Sequence, residues 1–171
     1  MLLKQLIKNL PKEIKNIHIN GLETNSKNVK KGFIFFAIRG QKFNGEKYIS
    51  ESVKNGAKVV ICSKNCNYEN ENLVVIRTKN VRYFLSEIAS KFYKLKPRNL
   101  IAVTGTNGKT SVADLYFQIL NLNKIPTASI GTLGVKYKKK IDKSDLTTPD
   151  TLNLHRSLQK IKKKNINNLI I

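Results

Sequence analysis

The residues Thr104-Gly105-Thr106-Asn107-Gly108-Lys109-Thr110-Ser111 have types and spacing that suit the binding of a nucleoside triphosphate. Gly105 and Gly108 let the backbone turn tightly and come close to a phosphate without a Cβ in the way. A helix starting at this point would present unpaired N–H groups and the positive end of its dipole to an anion. Lys109 adds a full positive charge for the β- and γ-phosphates. Thr110 offers a hydroxyl to a Mg²⁺ ion that bridges them. The common phosphate loop has Gly, four residues, then Gly-Lys. Here that first position falls on Val103, so the loop is a shorter form, Gly-Thr-Asn-Gly-Lys-Thr.

The other candidates are weaker. Cys62 and Cys66 stand four apart with no second pair. A zinc site needs about four ligands, so buried thiols in a reducing compartment are expected. His18 and His155 read as surface or helix-face residues.

The flanking pattern must position the loop. Residues 100–103 form a short apolar run that reads as a buried strand. Residues 110–122 read as an amphipathic helix, and 127–130 as a further strand. A hairpin is expected at 135–141. Pro149 and Asp150 open a helix with Leu154, Leu158 and Ile161 on its inner face, Asp150 being a good N-cap. Residues 168–171 begin another apolar strand, in which the chain stops. The alternation predicts a parallel α/β sheet, and the expectation is that this second domain is incomplete, its last strand lacking a partner.

Before residue 98 the pattern differs. Residues 2–10 read as a short amphipathic helix closed by Pro11, and 33–38 as a buried strand between Gly32 and Gly40. Residues 46–55 read as a helix stopped by Gly56, 58–62 and 73–76 as strands. Val81, Phe84, Leu85, Ile88, Ala89 and Phe92 recur at helical spacing. Residues 94–98, with Pro97, read as a linker. The division predicted is 1–96 and 97–171.

Charge is the unusual quantity. Lys+Arg 32 against Asp+Glu 11 gives +21. Such a balance suits an anionic partner. The basic residues are spread over every segment, however, and Lys, Asn and Ile crowd the whole chain, as an AT-rich genome encodes. The runs at 136–140 and 160–164 read as solvated charge. The apolar runs are far too short to cross a bilayer.

The short loop at 105–111 resembles that of the Mur ligases and the related folylpolyglutamate synthases. Asn25-Ser26-Lys27 followed by residues 29–40 resembles the "Asp-Ser-Arg … Pro-Gly-Asp-Leu-Phe-Val-Ala" segment of the Mur ligase N-terminal domain. Residues 44–49 and 57–60 continue it. Leu146-Thr147-Thr148-Pro149-Asp150 is similar to the Thr-Thr-Pro element of the branch that adds the third residue of the peptidoglycan stem peptide. The family's Asp and Arg are here Asn25 and Lys27.

The resemblance implies an α/β protein: a small N-terminal α/β domain binding a UDP-sugar, followed by the start of a parallel-sheet P-loop ATPase domain. It implies a cytoplasmic, ATP- and Mg²⁺-dependent ligase of cell wall biogenesis. The ligase would join meso-diaminopimelate or L-lysine to UDP-MurNAc-L-Ala-D-Glu through an acyl phosphate. Gly105, Thr106, Asn107, Gly108, Lys109, Thr110 and Ser111 would hold ATP, with Lys109 catalytic and Thr110 on the metal. Ser26, Gln41, Lys42, Phe43, Thr147 and Thr148 would contact the substrate. The chain alone is expected to be inactive, because the segments carrying further metal and amino-acid contacts follow elsewhere in the family. No nucleic acid and no membrane insertion are expected. The alternatives are another ligase of the superfamily (MurF or folylpolyglutamate synthase) and a non-enzymatic basic module binding nucleic acid.

Overall fold

The structure is a computed structural model that describes residues 1–40, 43–132, 134–137, 140–142 and 150–171. The chain divides into two compact units, Met1–Phe92 and Tyr93–Ile171. The sequence pattern puts the division at the proline-bearing stretch a few residues later. Tyr93 falls in the second unit, and its hydroxyl accepts a bond from Arg156 Nε at 3.1 Å.

In the first unit α1 (Leu3–Leu6) is one turn, followed by β1 (Gly21–Glu23), β2 (Phe33–Phe36), α2 (Ile49–Lys54), β3 (Ala57–Ser63), β4 (Val74–Thr78) and α3 (Val81–Phe92). The helix expected over 2–10 is shorter than its apolar spacing suggests. Ile7 is already extended, and Leu2 makes an isolated bridge to His18. The strands lie in the order β1-β2-β3-β4, all parallel. A parallel sheet is covered on both faces, which is why Ile34, Phe35 and Phe36 are all buried in succession. Val29, Phe35, Ile49, Val60 and Cys62 share one core cluster. The helix expected over 46–55 is a 3₁₀ turn (Gly45–Tyr48) leading into α2. Gly56 ends it at φ +105°, where a Cβ would strike the backbone of Lys31.

The second unit holds β5 (Asn99–Ile101), α4 (Lys109–Leu122), β6 (Thr127–Gly131), β7 (Gly134–Tyr137), β8 (Lys140–Asp142), α5 (Thr151–Lys163) and β9 (Asn168–Ile170). The sheet order is β5-β9-β6-β7-β8. β5, β9 and β6 run parallel, and β7 and β8 add an antiparallel edge. The last strand is therefore not unpartnered: β9 sits between β5 and β6 and bonds to both. Its core is Ala128, Ile130, Tyr137, Leu158, Ile161, Ile166 and Leu169. Asp150 caps α5 by accepting from the Asn153 amide at 2.8 Å.

One burial expectation fails in this unit. β5 is an edge strand, with Leu100 48% and Ile101 37% exposed rather than buried. α4 is apolar on two stripes. Ala113, Tyr116, Phe117 and Leu120 are half-buried, and the helix packs on β6 and β9. Val112, Leu115, Ile119 and Leu122 form the second stripe and are exposed.

Candidate functional site

The nucleotide loop joins β5 to α4, so the strand–loop–helix context expected of residues 100–122 is present. Gly108 is the N-cap of α4, at φ +79°. A Cβ there would meet nothing within 4 Å, so glycine is required by conformation and not by crowding. Gly105 is also at positive φ, +152°. The first bond of the helix runs from Val112 N–H to Gly108 C=O at 2.9 Å. The amides of the first turn have no carbonyl four residues back to pair with. They therefore open toward whatever the loop holds.

Lys109 Nζ donates to the carbonyl oxygens of Gly105 and Thr106. Its charge is thus held over the loop, and the loop residues themselves are exposed. Thr110 Oγ1 lies 3.4 Å from Thr132 Oγ1, a hydroxyl contributed by the turn after β6. Lys109, Thr110, Asp114, Ser129, Thr132 and Lys136 are among the residues that line a cavity of about 230 Å³ beside the loop. On its wall Lys136 Nζ pairs with Asp114 Oδ1 at 2.7 Å. Bonds from Lys136 and from Gln118 hold the Asp114 carboxyl below the usual carboxylate range. The loop spelling pointed to Lys109 and Thr110 but to none of Asp114, Thr132 or Lys136. Nothing in their spacing marks them, since only the β6–β7 hairpin and the α4 face bring them together.

A divalent cation fits one position here. Thr110 supplies a hard hydroxyl oxygen at the start of α4, as a Mg²⁺ that keeps waters and phosphate oxygens requires. Among the described residues no cluster of three or more His, Cys, Asp or Glu could hold a metal without such a partner.

In the first unit Ser26 and Phe43 lie beyond the carboxyl ends of the adjacent parallel strands β1 and β2, where open α/β sheets bind ligands. After β1, Asn25 Oδ1 accepts from the Lys27 amide and starts a 3₁₀ turn, Ser26–Asn28. Ser26 is only 5% exposed. Its hydroxyl donates to Glu51 Oε2 at 2.5 Å, and its carbonyl accepts from Asn55 Nδ2 at 2.9 Å. Ser26 is thus gripped by both ends of α2, an arrangement that its short motif does not disclose. After β2, Arg39 bridges to Asn44, and the Gly40 amide donates to the Phe43 carbonyl at 2.8 Å. Beside this contact Phe43 is 73% exposed. Gln41, Lys42, Thr147 and Thr148 lie outside the described residues.

Glu46 secures that loop from below. Its Oε1 accepts from the amide and hydroxyl of Ser63, at the end of β3, at 3.2 and 2.6 Å. Its Oε2 lies 3.4 Å from Arg39 Nε. Cys62 and Cys66 are free thiols and both buried. Burial, reinforced by the neighbouring Cys66, pushes the Cys62 thiol up to about 12, which suits an inert packing role.

Residues 18–93 match the model described as "Mur ligase family, catalytic domain", and residues 103–171 match "Mur ligase middle domain". The chain belongs to the Mur ligase family. Among curated proteins it is 36% identical over its whole length to a UDP-N-acetylmuramoyl-L-alanyl-D-glutamate–2,6-diaminopimelate ligase of Clostridium acetobutylicum, covering 37% of that protein. It is 42% identical over 75% of its length to the ligase of the same name from Rickettsia prowazekii, covering 26% of that protein. The chain thus spans about a third of the length of such relatives. Among solved structures, one of a ligase of that name superposes over the whole chain and 36% of its own, with a TM-score of 0.79 at 24% identity. The MurF ligase of Thermotoga maritima in complex with ADP superposes over 90% of this chain and 31% of its own, with a TM-score of 0.58 at 19% identity. These likenesses establish the fold.

Proposed function

We propose that these residues supply the sugar-nucleotide-binding and ATP-binding parts of a ligase that adds 2,6-diaminopimelate to UDP-MurNAc-L-Ala-D-Glu. One observation carries the reading: the likeness to ligases of that printed name extends over the whole chain and includes the loop at 105–111. In the reaction, the terminal carboxylate of the dipeptide attacks the γ-phosphorus of ATP, releasing ADP and leaving an acyl phosphate. The amine of the diamino acid then attacks the acyl carbon. The tetrahedral adduct expels inorganic phosphate and loses a proton, leaving the amide.

The chain's residues bind and orient in this scheme. The loop amides and Lys109 cradle the β- and γ-phosphates, and Lys109 offsets charge as the γ-phosphoryl group moves. Thr110 would hold a Mg²⁺ ion, which would neutralise phosphate charge when bound. Ser26 and the loop at Gly40 and Phe43, with Gln41 and Lys42, hold the sugar nucleotide, and Thr147 and Thr148 meet the peptide. The setting is cytoplasmic, in keeping with the absence, among the described residues, of any helix long and apolar enough to cross a membrane.

Calorimetric titration of residues 1–171 tests the reading. Separate saturable binding of ATP with Mg²⁺ and of UDP-MurNAc-L-Ala-D-Glu is expected, without ligation by this chain alone. Binding of neither, with steeply salt-dependent uptake of a random oligonucleotide, would reject it in favour of a nucleic-acid module.

A further inference from the structure

Two of the arginines at the carboxyl edge of the first sheet, Arg39 and Arg82, have opposite circumstances. Arg39 leaves β2 and is neutralised by Glu46, whose carboxylate is itself anchored on Ser63. Arg82 stands in the first turn of α3, just after β4 ends at Thr78. It is exposed, and no hydrogen bond or ion pair engages it among the described residues. Its guanidinium lies beside Gly40, in the segment after β2. A methyl group built on Gly40 would lie 3.9 Å from Arg82 Nη2 and 3.3 Å from the Phe43 carbonyl. An unpaired planar cation therefore rests beside the loop backbone, at the sheet edge where a ligand binds.

The carboxylates nearby do not compete for it. Glu51 takes the Ser26 hydroxyl, and Glu46 takes Ser63 and Arg39. The edge thus presents acceptors at Ser26–Glu51 and a free donor fork at Arg82. Guanidinium is the group best matched to two phosphate oxygens at once.

We infer that Arg82 is a specificity-determining contact of the first unit, its guanidinium receiving the diphosphate of the sugar nucleotide beside Gly40. This rests on the ligase reading above, to which it adds a residue from α3. The Ser26 side of the edge then faces the neutral part of the ligand, where a carboxylate does no harm.

The test titrates residues 1–171 with UDP and with uridine, comparing the unaltered chain with Arg82→Ala, Arg82→Gln and Arg82→Lys. Arg82→Ala and Arg82→Gln are expected to weaken UDP on the order of tenfold, the loss of one charge-assisted contact. Uridine binding should stay unchanged, and the salt dependence of UDP binding should become shallower. Arg82→Lys should recover part of the affinity. Unchanged UDP affinity in Arg82→Ala would overturn the inference while leaving the ligase reading intact. Equal weakening of UDP and uridine would also overturn it, since that is the mark of a structural role. Failure of the unaltered chain to bind either would reject the sugar-nucleotide reading and the Arg82 inference with it.

Discussion

Lys109→Met separates what the nucleotide loop needs for folding from what it needs for binding. The side chain is exposed and donates only to the Gly105 and Thr106 carbonyls, both on exposed residues that water reaches when the ammonium is gone. No buried acceptor is orphaned, so stability should change by no more than about 0.5 kcal/mol. For ATP the same group contributes a charge-assisted bond, worth about 1.5–3 kcal/mol. A loss near 2 kcal/mol is roughly a 30-fold rise in Kd. Calorimetry with Mg²⁺-ATP and urea unfolding followed by circular dichroism read the two quantities on one preparation. A stability loss above about 1 kcal/mol, or ATP affinity unaltered within about twofold, would refute the assignment of Lys109 as a phosphate ligand poised over its own loop.

Gly45→Ala should destabilise the first unit by about 1–3 kcal/mol, because the new methyl would lie 2.7 Å from the backbone N and O of Ile38. Gly108→Ala meets open space and only the cost of φ +79°. That cost is about 1–2 kcal/mol, offset in part by the stiffer unfolded chain. Urea midpoints should therefore fall further for Gly45→Ala. His155 is half-buried on α5 with Nδ1 unpartnered, and burial, aided by Lys96, lowers its pKa from the ordinary 6.5. The native state then binds fewer protons than the unfolded one, so stability is complete above 6.5 and declines as pH drops below it. The decline below 6.5 should shrink in His155→Leu, as read from urea midpoints. Cys62 and Cys66 should resist iodoacetamide at neutral pH until urea is added, as mass spectrometry would register. Rapid alkylation of the folded chain would contradict their burial.

Legibility in the sequence followed the range over which each signal acts. Two strands of the first unit announce themselves because residues 33–36 and 59–62 are apolar on both faces, as a strand buried on both sides requires. The Gly108–Lys109–Thr110 start of α4 is equally local: a positive φ, a charge and a hydroxyl within one turn. Ser26 marked its turn, but its grip by Glu51 and Asn55 is a contact across the fold, and two polar residues on a helix of ordinary composition carry no sign of it. Glu46 is similar. It reads as a helix-start carboxylate, and only the arrival of Ser63 beside it makes it the brace of the Gly40 loop.

The second unit shows the converse error, in which a correct local pattern gives a wrong burial. Apolar residues 100–101 imply a covered interior. A strand position in the sheet is set by its partners, however, and β5 has β9 on one side only. α4 can turn just one stripe to β6 and β9, so Ala113, Tyr116, Phe117 and Leu120 take that side while Val112, Leu115, Ile119 and Leu122 face outward. The same turn of the helix aims Asp114 at Lys136 on β7. The cavity wall beside Lys109 and the exposed apolar stripe are therefore two results of one constraint, the rotation of α4 about its axis. A change that rotated α4 to bury Leu115 would pull Asp114 from Lys136 and open the wall of the nucleotide cavity.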